Sequence, residues 1–169
     1  MNNKYALITG GTAGIGLDIA RELAKQGHNI LLTARREERL KEISASLKED
    51  FKVDCNYIAA DLAQVSAPEI IYNFCSENNY IVEILVNNAG YSINKKFHET
   101  GEDEEEKFLR VLGIAVVALT KKFIPSMIEQ KQGKIMMVSS LASFAPPSSG
   151  WGALYGPVKT FVNRFGEIG

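Results

Sequence analysis

Cysteine is nearly absent: Cys55 and Cys75 are the only two in 169 residues. Their separation fits no metal or redox spacing, and two cysteines make no disulfide framework. A reducing, cytoplasmic setting is the expectation that follows. Histidine is as scarce, and His28 and His98 have no neighbouring ligands at a metal-binding spacing, so packing or surface roles are expected. An excess of one charge sign is lacking too. A net charge of −1 gives no reason to expect nucleic acid or an anionic membrane surface as partner. The acidic run Glu102 to Glu106 is short and opens a helical pattern, where it suits the positive end of the helix dipole. No apolar stretch approaches the length expected of a membrane span, and the apolar run after Lys4 is too brief for a signal peptide. Neither an internal repeat nor a low-complexity linker breaks the chain.

What is present is an ordinary balance, 46% hydrophobic and 23% charged, which suits one soluble globular domain over residues 1–169. Short apolar runs alternate with helical patterns. Strands are expected at Tyr5 to Ile8, Asn29 to Thr33, Cys55 to Ala59, Ile84 to Val86 and Ile135 to Val138. Helices are expected from Gly14 to Gln26, from Glu37 to Glu49, and from Pro68 with Ile71, Phe74 and Cys75 buried. A long helix from Asp103 to Gln130 should kink or break at Pro125. A final helix starts near Tyr155, tolerates Pro157 in its first turn, and turns Val158, Phe161, Val162, Phe165 and Ile168 inward. This alternation argues an α/β fold, a parallel sheet covered on both faces. The doubly wound Rossmann-type fold expects six strands, so with five the second half is incomplete.

Thr9-Gly10-Gly11-Thr12-Ala13-Gly14-Ile15-Gly16 joins the first strand to the first helix. Glycines there let backbone N–H groups approach a pyrophosphate at a helix N-terminus, and strand–turn–helix is the context this reading requires. A tight turn without ligand is the alternative. Near the other end, Tyr155 and Lys159 lie one helical turn apart and share a face. A cation beside a phenol favours the phenolate and lowers its pKa from the ordinary value of about 10.

The Gly-x-x-x-Gly-x-Gly spacing together with Tyr-x-x-x-Lys resembles the short-chain dehydrogenase/reductase family, over essentially the whole chain. The resemblance implies that Gly10, Thr12, Gly14, Ile15 and Gly16 bind a dinucleotide. It places Asp61 and Leu62 beside adenine, although an aspartate there also suits a cap or turn. Asn87-Asn88-Ala89-Gly90 matches the family's cofactor-flanking segment, with Asn87, Ala89 and Gly90 expected at the cofactor and the side chains bracing strand ends. Arg35 stands where relatives that prefer NAD carry an acidic residue, and an arginine fork suits a 2′-phosphate. NADP(H) is therefore favoured over NAD(H), two exposed helix-start arginines being the other reading of Arg35 and Arg36.

By resemblance Tyr155 is the general acid/base, Lys159 tunes it and holds the cofactor's ribose, and Ser140 holds the substrate oxygen. Ser139 is the second choice, and Ser148 and Ser149 read as turn residues. Trp151 could line a substrate pocket or pack its loop. Leu112 falls where the family commonly has a proton-relaying asparagine, and leucine can relay nothing. The resemblance also implies a small carbonyl or alcohol substrate and a homo-oligomer.

Relatives continue beyond the tyrosine helix into further strands and a substrate-covering loop. The sequence thus reads as a C-terminally truncated domain whose fifth strand is a sheet edge, with Ile135 and Met137 losing cover. The reading that the resemblance implies is an NADP(H)-dependent carbonyl–alcohol oxidoreductase. A catalytically silent nucleotide-binding or assembly module is the alternative. A sugar-nucleotide epimerase ranks third, because its glycine spacing differs.

Overall fold

The computed structural model describes residues 3–146 and 152–167, so Ser148, Ser149, Trp151 and Ile168 lie outside the described residues. Strands β1 (Lys4–Thr9), β2 (Asn29–Ala34), β3 (Cys55–Ala59), β4 (Ile81–Asn87) and β5 (Lys134–Met137) form one sheet in the order β3-β2-β1-β4-β5. All four pairings are parallel. Helices α1 (Gly14–Lys25), α2 (Glu37–Phe51), α3 (Ala67–Glu77), α4 (Glu102–Leu109), α5 (Ala115–Glu129) and α6 (Tyr155–Gly166) supply the crossovers. This is the doubly wound arrangement, in which strand order reverses between β1 and β4.

Strand parity explains the two layers. Leu7, Leu31 and Leu85 face one side and pack with Ile71, Phe108, Leu112, Leu119 and Val158. Their neighbours Ile8, Ile30, Leu32 and Val86 face the other side, against Leu17, Ala20, Leu40 and Leu47 of α1 and α2. Each such side chain, fully buried, contributes about 1.5–3 kcal/mol. β5 is the sheet edge, with Ile135 and Met137 half-buried and Met136 44% exposed.

Three expectations need correction. Pro125 sits inside α5 without ending it. Pro125 and Lys121 both lie on the exposed side, where solvent can take over the hydrogen bond that proline removes. The irregularity comes earlier, as a π-helical turn over Arg110–Ile114. Phe161, expected inside, is 47% exposed and stacks on Phe165 at 6.1 Å, while Val158 and Val162 carry the buried face of α6. Finally, the continuous helical stretch Glu102–Glu129 is long and apolar enough to span a membrane by length and composition. Its Phe108, Leu112, Leu119 and Phe123 are packed in the core.

At the sheet end where the strands begin, the Asp54 carboxylate accepts hydrogen bonds from the Tyr5 hydroxyl and from Asn56, and Lys48 lies 3.4 Å away. Burial alone would push the Asp54 carboxyl up. The Tyr5 bond and Lys48 outweigh it and hold the group below its ordinary 3.8. A carboxyl lowered in the folded state stabilises above its unfolded pKa and loses that contribution as pH falls through the folded one. Asp54→Asn should therefore flatten the acid side of the stability profile. Thermal melts of both proteins between about pH 5 and pH 2 would show parallel losses if this account is wrong.

Candidate active site

The glycine loop is stapled to the end of β4. The Asn88 side chain donates to the Thr9 carbonyl at 2.9 Å and to the Gly10 carbonyl at 3.2 Å. In return the Thr9 hydroxyl oxygen accepts the N–H groups of Asn88 and Ala89, both at 3.0 Å. The packing leaves no room for a side chain at Gly10 or Gly16. A β-carbon on Gly16 would lie 2.3 Å from the Asn88 amide nitrogen and 2.5 Å from the Gly10 carbonyl oxygen. Gly10 takes a φ of +67° and passes close to Ala89. No side chain caps α1 and no acidic residue occupies its first turn, so its N–H groups keep their positive end toward the loop.

Above this loop, at the C-terminal ends of the strands, opens a cavity of about 850 Å3. That is within the range of small-molecule and cofactor sites. Gly10, Thr12, Ile15 and Gly16 line it from the loop, and Arg35 and Arg36 from the end of β2. Asp61 and Leu62 line it after β3, Ala89 and Gly90 after β4, and Tyr155 and Lys159 from α6. The structure thus brings together most of the residues singled out in the sequence. Asp61 also makes a turn, its carboxylate accepting the Ala63 N–H at 3.0 Å.

Three do not line the cavity. Gly14 has φ +52° with nothing near its missing β-carbon, so its part is conformational. Asn87 turns away: its amide reaches the Thr120 hydroxyl at 3.3 Å and the Met137 sulfur at 3.5 Å. Side-chain alternation at the end of β4 sends Asn87 toward α5 and Asn88 toward the loop. Ser140 is the third. Its hydroxyl oxygen accepts the Ala142 N–H at 3.2 Å, capping the short turn Leu141–Ser143. Ser139 does line the cavity, with its hydroxyl donating to the Lys159 carbonyl at 2.9 Å.

Several lining residues escaped the sequence reading. Asn88 was legible within Asn-Asn-Ala-Gly, but only a known strand end tells the two asparagines apart. Thr33, Tyr91 and Lys107 carry no motif. Tyr91 is packed edge-on to Phe108 at 5.3 Å, and Lys107 pairs with Asp103 at 2.6 Å.

Lys159 is 5% exposed, and its ammonium donates to the Val138 carbonyl at 2.7 Å. Burial away from water pulls its pKa below the ordinary lysine value. The ammonium lies 5.9 Å from the centre of the Tyr155 ring, so one helical turn does set the pair side by side. Leu112 and Lys159 both pack beside Gly90, where a β-carbon would make ordinary contact with the Leu112 Cγ at 3.5 Å and with the ammonium at 3.8 Å. Leu112, within the π turn, is 1% exposed.

The residues present fit a phosphorylated dinucleotide. The cradle admits no β-carbon at Gly10 or Gly16, and the buried Thr33 hydroxyl on the cavity wall has no partner among the described residues. Arg35 and Arg36 take part in no ion pair among the described residues, which leaves both guanidinium groups free for an anion.

Known proteins share this fold. The chain matches the short chain dehydrogenase family over residues 4–167. It is 32% identical to the human very-long-chain 3-oxoacyl-CoA reductase over 170 residues, covering 97% of this chain and 53% of that protein. It is also 32% identical to the NADP-dependent 3-hydroxy acid dehydrogenase of Escherichia coli over 161 residues, covering 94% and 62%. A short-chain dehydrogenase from Sphingobium yanoikuyae in complex with NADPH superposes with a TM-score of 0.89 at 28% identity, covering 97% of this chain and 63% of that one. The chain therefore spans little more than half the length of the curated relatives it matches. Fold, glycine cradle and sequence agree: this chain belongs to the short-chain dehydrogenase family.

Proposed function

We propose that the chain carries the cofactor and catalytic half of an NADP(H)-dependent oxidoreductase that interconverts a carbonyl and a secondary alcohol. The observation that carries this reading is the joint placement of Arg35, Arg36, the glycine cradle, Tyr155 and Lys159 around one cavity. The adenosine end would sit at Asp61 and Leu62, with a 2′-phosphate on the arginines and the pyrophosphate over Gly10 to Gly16. The cofactor, when bound, supplies or accepts the hydride at the carbonyl carbon. Tyr155 then moves the accompanying proton, giving it to the carbonyl oxygen in reduction and taking it back in oxidation. Lys159 holds positive charge beside the phenol, which favours phenolate at the moment the proton leaves. Ser139, on the cavity wall, braces Lys159 through its carbonyl, whereas Ser140 caps the Leu141–Ser143 turn away from that wall and is given no step. Similarity to the NADP-dependent dehydrogenase and the NADPH-bound neighbour supports this cofactor choice.

A silent nucleotide-binding module is favoured by one observation, the buried Leu112 beside Lys159 where the family commonly has a proton relay. Titration of NADPH and NADH into the purified chain, followed by a ketone panel, separates the readings. Saturable NADPH binding without turnover would select the module, and no binding would remove both.

Arg35→Gln should weaken NADPH by about 10–100-fold and leave NADH unchanged, because a charge-assisted bond to phosphate contributes about 1.5–3 kcal/mol. Equal losses for both nucleotides would mean that Arg35 does not read the 2′-phosphate.

A further inference from the structure

The two residues that follow β5 grip one residue of α6 at both of its ends. The Val138 carbonyl accepts the Lys159 ammonium at 2.7 Å, and the Ser139 hydroxyl donates to the Lys159 backbone carbonyl at 2.9 Å. We propose that Ser139 is a positioning residue for the Tyr155–Lys159 pair: it locks the helix turn that seats the Lys159 ammonium beside the phenol, and it does not hold the substrate oxygen. The use of the pair rests on the carbonyl–alcohol reading above, whereas the clamp on Lys159 rests on the geometry alone.

A hydroxyl has one proton to donate. That of Ser139, half-buried on the cavity wall, is spent on Lys159, so a ligand in the cavity meets only its lone pairs. A substrate carbonyl oxygen needs a donor. The clamp matters because little else holds the ammonium. Lysine loses more rotamer freedom on burial than most side chains, and its charge draws it towards water. Gly90 after β4 and Leu112 in the π turn pack beside it without a polar side chain, and it joins no ion pair among the described residues. Tyr155, its ring centre 5.9 Å away, is the titratable side chain next to it. The seat itself is sheet backbone, so any slip of α6 along the end of β5 pulls the ammonium off the Val138 carbonyl. Elsewhere the seam is held by small residues and at its exposed edge. A β-carbon on Gly156 would lie 3.3 Å from the Ala142 carbonyl oxygen, and the exposed Thr160 hydroxyl divides its proton between the Ser143 and Gly156 carbonyls, at 3.1 and 3.0 Å. Ser139 is the point at which the end of the sheet holds the Lys159 turn.

The test compares the whole chain with Ser139→Ala, which lacks the donor, and Ser139→Thr, which restores it. Competitive acetylation with trace acetic anhydride, read by peptide mass spectrometry, reports how often the Lys159 amine leaves its seat, with the exposed Lys121 as internal reference. One hydrogen bond corresponds to an effect of about 2–10-fold, so Lys159 should be labelled faster by that factor in Ser139→Ala, and Ser139→Thr should return towards the parent. In ketone reduction kcat should fall by a similar factor in Ser139→Ala, with KM unchanged. An unchanged Lys159 rate in Ser139→Ala, even beside a lower melting temperature, would overturn the proposal. So would a Ser139→Thr labelled as fast as Ser139→Ala, or a raised KM for the ketone with labelling unmoved, which is the pattern of a substrate-holding serine. NADPH titration of the same samples keeps the two readings apart. A parent chain that binds no NADPH removes the oxidoreductase reading, while the labelling series still decides the clamp.

Discussion

Gly16→Ala is expected to lower NADPH affinity by more than about 100-fold while the protein still folds. The added β-carbon would fall 2.3 Å from the Asn88 amide nitrogen and 2.5 Å from the Gly10 carbonyl oxygen. One of those contacts is backbone, so relaxation cannot come from a side chain alone. Either α1 moves off the loop or Asn88 is expelled, and expulsion breaks its bonds to the Thr9 and Gly10 carbonyls. Overpacking of this kind costs about 1–3 kcal/mol of stability, which a domain of this size survives. Binding suffers more, because the same shift moves the loop's backbone donors away from the phosphates. Hydrogen bonds to a charged partner contribute about 1.5–3 kcal/mol each, so losing two already exceeds a hundredfold. Gly14→Ala is the matched control: its β-carbon meets nothing within 4 Å, and only its φ of +52° resists substitution. Fluorescence titration of both variants decides the matter, and undiminished affinity in a folded Gly16→Ala would show that the cradle is not where the nucleotide binds.

Gly16 also shows what could be read from sequence and what could not. Spacing alone places the glycines between a strand and a helix, because that junction is local. The five strands were legible for the same reason: Leu7, Ile8, Leu31 and Leu32 are apolar on both faces, the mark of a covered parallel sheet. Tyr155 and Lys159 follow from one helical turn. Side-chain parity at strand ends is different, since one residue of register exchanges the roles of Asn87 and Asn88, or of Ser139 and Ser140. The π turn at Arg110–Ile114 leaves no periodic signature, so Pro125 drew the suspicion instead. Phe161 fits an apolar stripe by spacing, yet the neighbours that decide its exposure come from elsewhere in the fold. Tyr91 and Lys107 reach the cavity through loop lengths and helix placement, which no short motif records.

Lys159→Met should stabilise the protein near neutral pH and, with Tyr155→Phe, abolish the proposed turnover. The Lys159 ammonium is almost wholly buried, with the Val138 carbonyl as its hydrogen-bond partner and no carboxylate in an ion pair among the described residues. Burying an ion without a counter-charge costs several kcal/mol, whereas stranding the Val138 carbonyl costs about 1–3 kcal/mol, so methionine should come out ahead by about 1 kcal/mol. The pH dependence gives the independent sign. A lysine whose pKa is lowered in the folded state penalises folding most below that folded value. The penalty fades as pH rises through it toward the ordinary 10.5. Stability of the parent should therefore climb with pH in that window, and the advantage of Lys159→Met should shrink. Denaturant unfolding at several alkaline pH values measures this directly; a constant difference would mean that Lys159 is not the titrating group. Carbonyl reduction should fall by about 100–10,000-fold in Tyr155→Phe, which keeps the ring and its contact with Phe108 but has no proton to give. If both variants keep the parent's rate, the charge at Lys159 has some purpose other than moving the Tyr155 proton.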